Sequence, residues 1–451
     1  MTCTYVIGDA RDVLAAMPDN SVDLVMSSPP FLALRSYLPT DHVDKHREIG
    51  SEPTPADFLA TLLDLAVECR RVLAPHGTLA FELGDTYAGS GGAGGDYKPG
   101  GLREGEGKAD GSSKRMRNQR NDKIEMATMG ILGTTSGQRH KANPGSWPLS
   151  KSLTGIPTLF AWSLAYGRNL LRPEQTFEPW RIRNVLVWAR ANPPVGALGD
   201  KFRPATSYIT IACPSATRWF DLDAVRGSAS ENTHARTAKG VTSRKTTGKA
   251  AADERRGGNF STLDTLHQTR DAPPLDWWSD IDDGPNGDRL WWLNAQPYSG
   301  SHYAVFPAEL PRRIIEAMCP REVCTRCGTP RRRIAETTNA VGTAMGRRAW
   351  RESPEGKHTG DITRSSSSAP SSIRKTLGWT DCGCRAPWRH GHVLDPFGGS
   401  GTTGAVATGC GRNATLIDID ERNIHLARER IGMFLEEPVP ALSRTPKVRN
   451  G

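Results

Sequence analysis

Near its carboxyl end the chain reads HVLDPFGGSGTTGAVATGCGRNATLIDID. This stretch constrains the fold more than any other. A short apolar strand meets a glycine-rich turn, a small-residue helix follows, and a second apolar strand closes on an acid. That is the grammar of a β-α-β unit in an open, mostly parallel sheet. Gly399 and Gly401 allow a tight turn and a close approach of backbone to a ligand. Asp418, ending the next strand, is placed to accept both ribose hydroxyls of a nucleoside cofactor. The turn runs Phe397-x-Gly399-x-Gly401, so only two of the three glycines of a dinucleotide site are present, and the cofactor need not be a dinucleotide. The alternative is a tight strand–helix connection with no ligand.

The amino end has the same grammar. TYVIGDARDVLAAMPDNSVDLVMSSPPF gives a strand, a short helix and a strand that must stop at Pro29–Pro30, because proline cannot donate to a sheet ladder. TPADFLATLLDLAVECRRVLAPHGTLAFELGD gives a long helix with a wide apolar face, a stop at APHG and a third strand at TLAFEL. Two α/β blocks thus lie at opposite ends of the chain. The economical reading is one doubly wound Rossmann-like sheet assembled from both.

Between them, residues 88–146 are rich in glycine and charge, and residues 226–275 and 335–376 are polar, which predicts flexible segments. Structure is expected at GIPTLFAWSLAYGR as a helix, at IRNVLVWARA as a strand, and at SYITIAC and TRWFDLD as a further strand pair. With 58 basic and 49 acidic residues the net charge is +9, compatible with a polyanionic partner. The start MTCTYVIGDA does not read as a signal peptide, and no apolar run is long enough to cross a membrane; a cytoplasmic, non-membrane protein is expected.

The 9 cysteines are unevenly spread, which does not suit a disulfide framework. Cys324 and Cys327 form C-x-x-C with a glycine after it, and Cys382 and Cys384 form C-x-C. Two close thiol pairs suit a tetrahedral structural zinc, tying off the polar insertion between them. Four reduced loop cysteines are the alternative, and Cys319 is a further possible ligand.

DPFGGSGTT together with SSPPF resembles the DNA amino-methyltransferases, which move a methyl group from S-adenosylmethionine to an exocyclic nitrogen of cytosine or adenine. The catalytic tetrapeptide comes first and the cofactor turn last, which resembles the beta group of that family, of restriction–modification type. HYAVFPAELPRRII, EIGSEPTPADF, RRVLAPHGTLAFELGDTYAG, IRNVLVWARANPP and DKFRPATSYITIACPSATRWFDLDAVR resemble the accompanying segments. Methyltransferases acting on RNA or on protein glutamine are similar at the tetrapeptide but usually carry the cofactor turn before it.

The resemblance implies a division of the chain. Residues 1–87 would be the catalytic half, 88–300 a target-recognition region with basic loops such as KRMRNQRNDK and RHKANPGSW, and 301–318 a cofactor segment. Residues 319–390 would be the Cys-rich insertion, 391–436 the cofactor half and 437–451 a disordered tail. It further implies that Ser28 Oγ and the Pro29 carbonyl accept hydrogen bonds from the base amine. Pro30 stiffens that stretch, and Phe31 stacks on a base flipped out of duplex DNA. Asp9, Phe306, Pro307, Asp395, Pro396, Phe397, Gly399, Gly401, Thr402 and Asp418 would contact S-adenosylmethionine. A helix cap is the other reading of Asp9, and core packing the other reading of Phe306. Serine first and phenylalanine last in the tetrapeptide resemble cytosine-N4 enzymes more than adenine-N6 enzymes. A cognate restriction endonuclease, and a monomeric or homodimeric state, are compatible with this reading; an inactive DNA-binding relative is the competing one.

Overall fold

A computed structural model of the chain describes residues 1–32, 37–39, 41–88, 147–190, 202, 204–225, 277–279, 306–339, 372–437 and 439–440. The first strand, β1 (Cys3–Ile7), leads through Asp9 into helix α1 (Ala10–Ala16), and β2 (Val22–Ser27) follows. Helix α2 (Pro55–Val72) begins under Thr54, whose hydroxyl accepts from the Asp57 amide 3.1 Å away. Pro55 sits in its first turn, where a missing N–H leaves no bond unmade. Strand β3 (Leu73–Leu83) starts directly at the end of that helix, so APHG, expected as a stop, lies inside the strand. The irregular register between Val22 and Leu24, opposite this segment, absorbs the mismatch.

Helix α3 (Ile156–Tyr166) and strands β4 (Arg181–Ala189), β5 (Thr206–Cys213) and β6 (Trp277–Ser279) come next. Helix α4 (Glu309–Met318), β7 (Glu322–Cys324), β8 (Arg333–Asn339), β9 (Ser372–Trp379) and β10 (Trp388–His390) lead to β11 (His392–Asp395). The chain finishes with α5 (Thr402–Gly409), β12 (Asn413–Asp418), α6 (Asn423–Ile431) and β13 (Val439–Pro440).

Nine of these strands form one sheet in the order β13-β1-β12-β11-β2-β3-β5-β4-β6. Its centre, β1-β12-β11-β2-β3, is parallel throughout, and β5 is antiparallel to both β3 and β4. Strands from the two ends of the sequence interleave in it: β1 lies beside β12, and β11 pairs with β2 through Val393↔Leu24 and Leu394↔Val25. The parallel centre of the sheet is buried on both faces, as parallel sheets require, whereas β4 is partly exposed. One face carries Val25, Leu79, Phe81 and Ile417 against Leu14, Phe58, Leu62 and Phe160 of α1, α2 and α3. The other carries Tyr5, Leu24, Met26, Ile211 and Leu416 against Ile314, Ala407 and Ala427 of α4, α5 and α6. The fold is an α/β doubly wound sheet built from both chain ends.

Two local expectations are corrected. SYITIAC is strand β5, but TRWFDLD is not its partner: only a short helical turn, Leu222–Ala224, is regular there. Trp219 instead donates its indole N–H to the Arg331 carbonyl at 2.8 Å, and Asp221 pairs with Arg333 at 2.7 Å, so tertiary ties fix this segment. The margins of the polar stretch 335–376 are ordered too, since β8 and β9 form an antiparallel hairpin. Val439–Pro440, within the expected tail, pairs with Val6–Ile7. The basic loops KRMRNQRNDK and most of RHKANPGSW lie outside the described residues.

Candidate active site

Because five neighbouring strands run parallel, their carboxyl ends share one edge of the sheet. There β1 delivers Gly8–Asp9, β12 delivers Asp418, β11 delivers Asp395 and the glycine turn, β2 delivers Ser28–Phe31, and β3 ends at Glu82–Leu83. Ligands of open α/β sheets bind at this edge.

The glycine turn is held from three sides. Asp395 is buried; its carboxylate accepts from the Phe397 amide at 3.0 Å, the Thr403 hydroxyl at 2.5 Å and the Ser27 hydroxyl at 2.5 Å. Burial pushes the Asp395 carboxyl up from its ordinary value, against the pull of those three donors. Gly399 (φ +48°) donates its N–H to Asp418 at 2.7 Å, and its carbonyl accepts from the buried Tyr5 hydroxyl at 2.9 Å. Gly401 lies at φ +81°, and a Cβ there would sit 3.0 Å from Ala427 of α6. Glycine is therefore required twice over at 401, by backbone conformation and by helix contact. Burial pushes the Asp418 carboxyl up to about 6, with the nearby Asp420 charge adding to the rise. Thr402 is buried, its hydroxyl accepting from Arg430, which also reaches Ser400 at 3.0 Å.

Asp9 caps α1, accepting from the Arg11 amide at 2.8 Å, and its other oxygen pairs with Arg11 and Arg47 at 2.6 and 2.8 Å. Although burial opposes it, these cations hold the Asp9 carboxyl below the usual carboxylate range. The capping reading is thus realised. Phe306 and Pro307 lie just before α4, Phe306 packing on the sheet face that carries Tyr5 and Leu24, as core packing would have it.

The SSPPF stretch leaves β2 beside β3. Ser28 Oγ donates to Glu82, an acidic residue only 3 % exposed. Arg190 holds the other Glu82 oxygen at 3.1 Å, donates to Ser207 at 3.1 Å, and lies 4.5 Å above the Trp188 ring. Phe31 packs against Gly84, where a Cβ would approach its ring to 2.6 Å. A Cβ on Gly50 would lie 3.0 Å from the Phe31 carbonyl and 3.2 Å from the Pro30 side chain. The tetrapeptide is thereby clamped between two glycines, with a carboxylate behind its serine.

Glu82 and Arg190 were not singled out from the sequence. The available signal was an acid inside the otherwise apolar run TLAFEL. Asp23 also went unnoticed: fully buried in β2, it accepts from Arg389 at 2.6 and 3.0 Å, from the His392 amide at 2.8 Å and lies 2.9 Å from His76. It ties β2 to the segment entering β11.

The four paired cysteines stand apart from this edge. Cys324, Cys327, Cys382 and Cys384 place their sulfurs within 4.8 Å of one another, next to β10, at the opposite end of β11 from Asp395.

Compared with known proteins, the sequence matches the DNA methylase family over residues 22–323 and 389–429, spanning both the tetrapeptide and the glycine turn. The chain belongs to that family. This methylase is 22% identical over 430 residues to the type II methyltransferase M.SmaI of Serratia marcescens, covering 95% of this chain and 91% of the relative. It is 23% identical over 444 residues to M.SfiI of Streptomyces fimbriatus, covering 92% and 87%. Among solved structures it resembles the PvuII DNA methyltransferase (cytosine-N4-specific), at 12% identity and a TM-score of 0.44, covering 95% of this chain and 86% of that one. The methylase is a DNA amino-methyltransferase. Among the described residues no helix is long and apolar enough to cross a membrane.

Proposed function

We propose that this methylase transfers a methyl group from S-adenosylmethionine to the N4 amine of a cytosine flipped out of a specific duplex sequence. The observation that carries the reading is the Ser28–Glu82 hydrogen bond at the end of β2. An exocyclic amine is a poor nucleophile because its lone pair is delocalised into the ring. A hydroxyl whose proton is committed to Glu82 turns its oxygen lone pairs outward, ready to accept one amine N–H. The Pro29 carbonyl, fixed by its ring, is available for the other. Together they would draw the nitrogen lone pair out of the ring plane, from groups already in position. Phe31, fixed against Gly84, offers a flat face for the base.

The glycine turn fits the cofactor. Its positive-φ backbone leaves room for a nucleoside, Asp418, whose oxygens already accept from the Gly399 and Asp420 amides at 2.7 and 2.8 Å, would take the ribose on its remaining lone pairs, and Phe397, Pro396 and Thr402 would frame the rest. When bound, S-adenosylmethionine supplies a methyl group on a positively charged sulfur, so no protein nucleophile is needed. Asp395 would orient the methionine part; Asp9, besides capping α1, and Phe306, besides its core packing, would with Pro307 border the adenosine. Glu82, through Ser28, offers a route for the amine proton once the bond has formed.

Serine rather than aspartate at the first tetrapeptide position, with Phe31 at the last, favours cytosine; adenine N6 is the second reading. Digesting methylated duplex DNA to nucleosides and weighing them decides between the two. N4-methylcytosine is expected, and N6-methyladenine alone would overturn the assignment.

A further inference from the structure

Two features of residues 324–384 have no explanation in methyl transfer. The first is the convergence of four thiols from two segments, all within 4.8 Å. None is in a disulfide, and all nine cysteines of the chain are free. Burial does not hold them together either: Cys324 is buried, but Cys327 is exposed and Cys382 and Cys384 are half-exposed. Apolar packing gathers cysteines in a core; it does not gather them at a surface.

The second is the backbone that presents them. Cys324 and Cys327 flank a tight turn in which the Gly328 amide donates to the Cys324 carbonyl at 3.0 Å, and the Cys324 amide donates to Thr329 at 3.0 Å. Gly328 has φ +68°, Gly383 between the other pair has φ +74°, and a Cβ at either would meet nothing within 4 Å. Backbone shape, not crowding, sets these two conformations. Arg385, directly after Cys384, also lies at φ +52°, a conformation that disfavours any residue but glycine. The Thr325 amide and hydroxyl both donate to the Pro387 carbonyl, at 3.0 and 2.8 Å, locking one cysteine segment to the other.

We propose that Cys324, Cys327, Cys382 and Cys384 bind one structural zinc ion as a four-thiolate clip at the foot of the cofactor strand. Zinc with sulfur bonds of about 2.3 Å in a tetrahedron needs sulfurs about 3.8 Å apart, which this cluster reaches with small side-chain adjustments. Four thiolates fill the coordination shell and leave no open position, so the ion is structural. The clip closes the loop of residues 328–381, from which the β8–β9 hairpin projects, and that cross-link limits the freedom of the unfolded chain. It also fixes β10, paired with β7 through Trp388↔Cys324, one residue before β11 begins. Arg389 of β10 reaches Asp23 of β2, so the ion would steady the junction on which the cofactor strand is registered. This goes beyond the methyl-transfer reading and does not depend on it.

The test is elemental analysis of the full-length protein after dialysis against metal-free buffer. About one zinc per chain is expected, released in step with modification of its thiols by a mercurial. Cys327→Ser combined with Cys384→Ser should lose the zinc, while Cys410→Ser, outside the cluster, should keep it. Exchange of the wild-type ion for cobalt should give the intense visible absorption of a tetrahedral thiolate site, which reports on the ligands even if the double variant fails to fold. Metal below about 0.1 equivalent, iron in place of zinc, or zinc retained by a folded double variant would each overturn the proposal. Zinc content is read without any methyl transfer, so its failure leaves the proposed reaction standing, and the reverse.

Discussion

Ser27, the last residue of β2, donates to Asp395, the last residue of β11, at 2.5 Å across 368 residues of sequence. One hydrogen bond thus joins the strand that carries the SSPPF stretch to the strand that carries the glycine turn. The bond is buried, and the donors on Asp395 account for both of its oxygens. Any shift of one strand against the other would leave a buried carboxylate short of partners, which is costly. The relative position of the two halves is set by this requirement and by the β2–β11 ladder.

Ser28→Ala and Glu82→Gln should each lower the methyl-transfer rate about 10²–10³-fold, the usual scale for removing one preorganised polar group at a reacting centre. Cofactor affinity should stay within about threefold, because neither side chain borders the glycine turn. The double variant should be little worse than either single one, since both remove the same hydrogen-bonded unit. Single-turnover transfer of labelled methyl to duplex DNA, with cofactor binding measured separately, checks all three statements.

Asp418 gives a pH signature. Its carboxyl is raised to about 6, and only the ionised form can accept both ribose hydroxyls. Protonation competes with the cofactor, so affinity should be full above that value and fall as the pH drops through it. The expected loss is about tenfold between pH 7 and pH 5. Asp418→Asn should bind weakly and show a flat profile over the same range. Calorimetric titration of S-adenosylmethionine at several pH values is the measurement.

Asp23 is a stability prediction. It is fully buried and holds Arg389, His76 and the His392 amide. Removing the carboxylate with Asp23→Ala leaves the His392 amide and His76 without their acceptor, while Arg389, one-third exposed, can turn to water; the loss should be about 1–3 kcal/mol, read from urea unfolding. Burial works against it, yet His76 and Arg389 hold the Asp23 carboxyl below its ordinary value. A depressed acid contributes stability above its unfolded value and loses it as the pH falls through the lower folded one. The wild type should therefore lose this contribution on the acid side, and the variant should lack that part of the slope.

Much of this architecture was legible in the residues, for physical reasons. Strands buried on both faces read as apolar runs, and Pro29–Pro30, Gly399 and Gly401 punctuate them at places where backbone chemistry leaves few options. Asp418 stood out as an acid at a strand end, while Asp395 was legible only through the family resemblance. Glu82, Arg190 and Asp23 did not, because what makes them special is a partner far away in sequence. Glu82 within TLAFEL could have been an outward-facing strand acid until β5 brought Ser207, and the end of β4 brought Arg190, alongside it. TRWFDLD has strand-like composition, yet Trp219 and Asp221 are claimed by Arg331 and Arg333 instead. Asp9 shows the converse: the same carboxylate serves as a helix cap at the cofactor edge, and local spacing alone could not separate the two uses.

Gly401→Val tests the turn itself. At φ +81°, with Ala427 already 3.0 Å from a Cβ, a branched side chain must displace α6 and strain the backbone. Cofactor affinity should fall by at least about tenfold while the unfolding free energy drops by about 1–2 kcal/mol or more. Calorimetric titration and urea unfolding of the same sample give both numbers.

The most direct test of the shared site is a structure of the protein with sinefungin, whose amine takes the place of the transferable methyl, and a duplex carrying its target cytosine. The account predicts the cytosine flipped against Phe31, its N4 within hydrogen-bonding reach of Ser28 and the Pro29 carbonyl. The sinefungin amine should lie about 3–3.5 Å from N4, with its ribose on Asp418. A cofactor bound away from the Gly399–Gly401 turn, or a flipped base seated on any surface other than the end of β2, would contradict it.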